Sequence, residues 1–181
     1  MSQYLIEYSS IKDISLKEIK IIIEGTDGLA LRDLKMKDLS QFENKKIFPG
    51  LGIYIFRNTD SILYVGKTTS RSFIDRVPSH FDLRDASKMN TFLRKVHNSN
   101  LIEKVEVQSP EIRNDVFYPA FDYVFNNCSL ILISFDELDE DWSVRKNRIN
   151  KFESILRNLL QPVTNTKNMK GIEEKSKLRD V

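Results

Sequence analysis

Two tyrosines, Tyr54 and Tyr64, stand inside short apolar runs, Gly52-Ile53-Tyr54-Ile55-Phe56 and Ile62-Leu63-Tyr64-Val65-Gly66, and Lys67 follows the second run directly. A phenol holds its proton up to about pH 10 in water, so it serves as a base near neutrality only beside a cation or a metal. Lys67 is the cation nearest in sequence. Further along, Arg76 and His80 are four residues apart, the spacing of neighbours on one helix face. Arginine clamps phosphate in bidentate geometry and stays charged. Histidine is a general base or a group that orients water. Glu153 follows Phe152 and comes four residues after Ile149, at the margin of an apolar helical stripe. A carboxylate drawn partly out of water there needs a cation or hydrogen-bond donors. A divalent metal would be one such cation; the alternative is a glutamate that reaches solvent and pairs with Lys151 or Arg157.

Gly66-Lys67-Thr68 also looks like the end of a phosphate-binding P-loop. That loop requires glycine five residues before the Gly-Lys pair, and Ser61 stands there. The residues before Lys67 read as a strand, so nucleotide hydrolysis is excluded.

The elements that must carry these side chains read as follows. The two apolar runs, joined by the polar Arg57-Asn58-Thr59-Asp60-Ser61, predict a β-hairpin. A short helix reaching His80 follows, and Pro78 implies that it begins near Asp75 or kinks. Ser87 is placed as the cap of a second helix, with Met89, Phe92, Leu93 and Val96 on one face. Phe117, Phe121, Val124 and Phe125 have helical spacing around Pro119, and this aromatic group reads as core packing in preference to base stacking. Leu130 to Phe135 reads as a third, buried strand. A helix from about Ser143 to Leu160 carries Ile149, Phe152, Leu156 and Leu159, and Pro162 stops it. Residues 1–47 read as an N-terminal layer, with the β-branched run Ile21-Ile22-Ile23 ended by Gly25 and a weak helical pattern from Leu29 to Leu39. The order β-β-α-α-β-α predicts an α+β fold, a small mixed or antiparallel three-stranded central sheet flanked by helices.

With its tripeptides Gly52-Ile53-Tyr54 and Tyr64-Val65-Gly66, the chain resembles the GIY-YIG endonuclease family. Arg76 with His80, then Glu153 inside a helix, then Asn165 just past it, complete the family pattern in order. The resemblance covers about residues 50–85 and 128–166. Valine replaces isoleucine in the second tripeptide, and Pro78 falls between Arg76 and His80. The resemblance implies a nuclease core over 48–166, with 98–127 a variable insertion, 1–47 an extension packed on it and 167–181 a charged tail. It implies phosphodiester hydrolysis in DNA with Tyr54, Tyr64, Lys67, Arg76, His80, Glu153 and Asn165 as site residues. Glu153 would hold one Mg²⁺ or Mn²⁺ and Asn165 would anchor the end of the Glu153 helix. A type II restriction-like, site-specific enzyme is expected, with a homodimer suited to double-strand cleavage. A phage or mobile-element nuclease, a structure-specific repair nuclease and a non-catalytic DNA-binding module with the same fold are the alternatives.

Composition is compatible with these readings. The net charge is only +2, but Lys67 to Lys104 holds eight Lys/Arg against four acids, a basic segment suited to phosphate. The acidic cluster Asp136, Glu137, Asp139, Glu140 and Asp141 reads as a solvated loop ahead of a helix N-terminus, where acids are favoured. His97 has no motif around it. No apolar run approaches the roughly 18 residues of a membrane span, the N-terminus does not look like a signal peptide, and a lone Cys128 suits a reducing compartment. A cytoplasmic protein is expected.

Overall fold

The computed structural model describes residues 4–42, 45–46, 50–84, 87, 89–102, 117–135 and 141–165. Alternation within the hairpin determines the architecture. β5 (Gly52–Arg57) and β6 (Ile62–Thr68) pair antiparallel, and β7 (Ser129–Ser134) pairs antiparallel on the other side of β5. Successive side chains point to opposite faces of a sheet. Ile53, Ile55, Val65, Ile131 and Ile133 therefore enter one core, while Tyr54, Phe56, Tyr64, Leu130 and Leu132 enter the other.

The sheet has five strands, not three, because the N-terminal segment joins it. β1 (Leu5–Glu7) adds to β7 in parallel, with Leu5 opposite Leu132, and β2 (Leu29–Ala30) pairs with β7 antiparallel. The path is β1-β7-β5-β6. The segment that reads as a separate layer thus contributes strands to the sheet as well as helices beside it. A two-stranded ribbon, β3 (Gln41–Phe42) with β4 (Lys45–Lys46), is separate from the main sheet.

Helices cover both faces. On the Ile53 face lie α1 (Tyr8–Ile11), α2 (Leu16–Glu24) and α6 (Trp142–Leu160), with Ile19, Ile23, Ile149, Phe152 and Leu156 at 0% exposure. The β-branched run is helical in α2 because Ser15 and Glu18 form a capping box at its start and the Ile19–Ile23 face has a core to enter. On the Tyr54 face lie α3 (Phe73–Arg76), a 3₁₀ turn over Pro78–Phe81, α4 (Thr91–His97) and α5 (Tyr118–Asn127). The region 29–39 forms β2 and two 3₁₀ turns, Leu31–Asp33 and Met36–Leu39.

Two local expectations change. Arg76 and His80 do not share a helix: α3 ends at Arg76, and Pro78, which has no N–H to donate, starts the separate 3₁₀ turn. Ser87 does not cap α4, which begins at Thr91 after Asn90; the Ser87 hydroxyl instead accepts from the Met89 N–H. Pro119 lies in the first turn of α5, where a missing N–H costs nothing. Residues 103–116 of the insertion, 136–140 of the acidic cluster and the tail from 166 lie outside the described residues. Among the described residues no helix is long and apolar enough to cross a membrane.

Candidate active site

Tyr54 lies at the centre of the sheet's helix-covered aromatic face. Its position depends on a residue with no side chain. Tyr54 is registered opposite Gly66, and a Cβ built at Gly66 would collide with the Tyr54 ring. Glycine in the second tripeptide is therefore a packing requirement, since the ring crosses the backbone of the neighbouring strand there. The ring is stacked on Tyr64 at 6.2 Å between centroids and meets Phe56 edge-on at 5.7 Å.

His80 defines the hydrogen-bond direction. The Phe92 N–H of α4 donates to His80 Nδ1 at 3.3 Å, so Nδ1 is the unprotonated nitrogen and Nε2 carries the hydrogen. Nε2–H then donates to Tyr54 Oη at 2.7 Å. Burial, with Arg76 and Lys95 nearby, pushes the His80 pKa down to about 3. The imidazole is thus neutral throughout the physiological range, with both nitrogens engaged.

Burial raises the pKa of both tyrosines above the usual phenol value. Against this acts the Arg76 guanidinium, whose charge lowers both and which also hydrogen-bonds Tyr54. For Tyr64, Glu153 raises the pKa while a hydrogen bond from Tyr54 and the charge of Arg157 lower it. Arg76 also reaches Ser79 Oγ at 3.3 Å and Met89 Sδ at 3.7 Å, which hold its half-buried side chain over the 3₁₀ turn.

The carboxylate comes from the other side of the sheet. Glu153 is on α6, 7% exposed, and Lys67 on β6 points to the same face as Val65. Lys67 Nζ lies 3.2 Å from Glu153 Oε2, and Arg157 Nη1 lies 3.4 Å from Oε1. The site therefore straddles β6: tyrosines, Arg76 and His80 on one face, and Glu153, Lys67 and Arg157 on the other. The two groups interact across that strand, because Glu153 and Arg157 act electrostatically on Tyr64.

Such an arrangement requires β6 to be held at its outer margin, and Asn165 does this. Its Oδ1 accepts from the Val65 N–H at 2.7 Å and its Nδ2 donates to Val65 O at 2.9 Å. Ahead of it, the Val163 N–H donates to Ile62 O and the Thr164 N–H to Leu63 O, at 3.1 and 2.9 Å. The chain leaving α6 thus runs along β6 and satisfies its free edge. Arg157 Nη2 donates to Asn165 O at 3.1 Å, which ties this segment back to the Glu153 turn of α6.

All seven residues singled out in the sequence converge on β6, with Asn165 acting on the backbone. Three participants have no signal in the motif. Phe92 acts through its backbone, which no side-chain pattern reveals. Lys95 places its Nζ 5.2 Å from the Tyr64 ring centroid. Arg157, which the sequence offers as a partner of Glu153 by its i, i+4 spacing although the motif omits it, shares the carboxylate with Lys67. His97 lies against Phe117, apart from this cluster. Two surface clefts of about 310 and 300 Å³ flank Arg57 at the turn end of the hairpin and include none of the seven residues.

Glu153 fits a hard divalent cation as one carboxylate of an otherwise water-rich shell. Its contacts to Lys67 and Arg157, at 3.2 and 3.4 Å, are longer than the roughly 2.7–2.9 Å of a charge-assisted hydrogen bond. Its oxygen lone pairs are therefore not saturated by those cations. Among the described residues no three of His, Cys, Asp and Glu converge as a ready ligand set.

No family model matches the chain, and comparison with curated proteins and with solved structures likewise finds no match.

Proposed function

We propose that this chain is a GIY-YIG-type, metal-dependent endonuclease that hydrolyses phosphodiester bonds in DNA. The observation that carries the reading is the convergence at one strand of a histidine-bound tyrosine pair, an arginine and a buried carboxylate. Tyr54 Oη sits 2.7 Å from His80 Nε2, and Glu153, 7% exposed, lies across β6. In this reading the three-stranded core that the resemblance implies is assigned to β7-β5-β6 with α3 and α6, within the five-stranded mixed sheet.

Hydrolysis joins a water oxygen to phosphorus, breaks one P–O ester bond and leaves the water proton to be taken up. Tyr54 is the proton acceptor. Its phenolate would accept from His80 Nε2–H and from Arg76, whose charge and hydrogen bond act against the upward shift that burial imposes. His80 has no free lone pair, so its role is to orient Tyr54. Arg76 neutralises charge that grows on the phosphate, and Tyr64 positions the phosphate or water beside Tyr54. Glu153 would hold the metal, Mg²⁺ or Mn²⁺, which when bound supplies Lewis-acid charge at the phosphate. One such site cuts one strand, so cleavage of both strands calls for a homodimer or two visits.

The test is incubation of purified protein with varied DNA and Mg²⁺, beside Glu153→Ala and Tyr54→Phe. Discrete fragments from the wild type alone indicate site-specific, restriction-like cleavage. Cleavage confined to branched or flapped DNA indicates a structure-specific enzyme. Full activity in Tyr54→Phe removes Tyr54 from the base role, and binding without cleavage under any divalent metal replaces the enzyme reading with that of a DNA-binding module.

A further inference from the structure

We propose that Lys95, which lies outside the motif, is a substrate-contacting residue that binds a nucleic-acid backbone phosphate beside the one held at Arg76 and Glu153. The inference rests on the nuclease reading and extends it to α4, a helix the family pattern does not include.

Three observations place Lys95 there. The first is its element: α4 also supplies the Phe92 N–H that holds His80 Nδ1 at 3.3 Å, and Lys95, three residues on, projects from the same side of the helix. The second is its target. Its ammonium lies 5.2 Å from the centroid of the Tyr64 ring, and its side chain is half-buried. Tyr64 is also the less enclosed of the two tyrosines, 7% exposed against 1% for Tyr54. The third is its companion. Arg76 and Lys95 both act on His80 and both depress its pKa. Two like charges thus act on one imidazole beside the tyrosine pair, an arrangement suited to a polyanion. Consecutive phosphates of one strand rise about 3.4 Å along the helix axis, so two cations around one aromatic patch suit neighbouring phosphates.

The test is the salt dependence of affinity for a labelled DNA duplex, measured by fluorescence anisotropy in EDTA so that nothing is cut. Lys95→Met and Lys95→Gln, which keeps most of the stem, are expected to bind several-fold more weakly on every sequence. Each should lower the slope of log affinity against log salt by about 1, the loss of one phosphate contact. Lys95→Arg should keep the wild-type slope. Lys20→Met, on α2 across the sheet, serves as the surface-charge control and should leave the slope unchanged. A wild-type slope in Lys95→Gln overturns the inference, whether or not its melting temperature falls, because a cation that only braces Tyr64 changes stability and not counterion release. A wild-type protein that binds no DNA either in EDTA or with divalent metal present overturns the nuclease reading together with it, and the two failures are thereby distinguished.

Discussion

Gly66→Ala tests the geometry on which the whole site depends. The added methyl would meet Cζ, Oη and Cε2 of Tyr54, and none of these atoms has room to retreat. The ring is 1% exposed, packed by Phe56, Tyr64 and His80, and its hydroxyl is held by His80 at 2.7 Å. Overpacking of a tight core costs about 1–3 kcal/mol, and displacing the ring breaks a buried hydrogen bond worth roughly 1 kcal/mol more. The expected loss is therefore about 2–4 kcal/mol, or a fall in Tm on the order of 5–15 °C for a chain of this size. Urea and thermal unfolding measure it. The decisive form is a double-mutant cycle with Tyr54→Ala. That substitution empties the space the methyl needs, so Gly66→Ala should then cost almost nothing, giving a coupling of roughly 2–4 kcal/mol. An equal cost for Gly66→Ala in both backgrounds would refute the claim that the glycine exists to admit the tyrosine ring.

Other outcomes follow from the same geometry. His80, with its pKa pushed down to about 3 from 6.5, binds a proton when unfolded but not when folded between those values. Stability is therefore fully present above pH 6.5 and falls as pH drops toward 3, at a rate approaching about 1.4 kcal/mol per pH unit. Urea titrations of wild type and His80→Gln should differ by that slope, and imidazole NMR signals of His80 that titrate near pH 6.5 would contradict it. Asn165→Ala strips both partners from the Val65 backbone and should cost roughly 2–4 kcal/mol, with faster hydrogen exchange at the Val65 amide; unchanged exchange there removes its edge-holding role. Glu153→Gln should reduce cleavage by about 10²-fold or more while leaving DNA affinity equal or higher, since an acid is lost beside Lys67 and Arg157. Weaker DNA binding than wild type in EDTA, where no metal is lost with the carboxylate, would count against the placement of Glu153 beside the phosphate.

How much of this was legible in the sequence follows from which contacts are local. The hairpin was readable because strand alternation and its polar turn lie within seventeen residues, Gly52 to Thr68. α6 was readable because its apolar stripe repeats at helical spacing over a long stretch. β1 and β2 were not, being three and two residues long, too short for a periodic signal. They exist only because β7 offers an unpaired margin more than ninety residues away, with Leu29 opposite Leu130 and Leu5 opposite Leu132. Arg76 and His80 illustrate the converse: their spacing indicated one helix face, and Pro78 separated them onto two elements while leaving both beside Tyr54. Lys95 and the Phe92 N–H had no signal because α4 reaches the site through the tertiary packing of its apolar face on Phe56 and Tyr64.

The tyrosines and the carboxylate belong to opposite faces of a sheet, and this makes β6 itself part of the chemistry. A strand buried among others would separate Tyr64 from Glu153 with a continuous wall. An outermost strand leaves a margin around which the two faces can communicate, and here Glu153 and Arg157 affect Tyr64 across it. A free margin, however, is prone to fray and to pair with other chains. Among the described residues, the segment Val163–Asn165 meets that need by pairing with β6 from Ile62 to Val65. Gly66 and Lys67 come next on that strand, where Tyr54 crosses it and Lys67 meets Glu153. Under the proposed reading these are residues at which the margin is open to substrate. Asn165 bonds the Val65 backbone through its side chain and so anchors β6 immediately ahead of those residues.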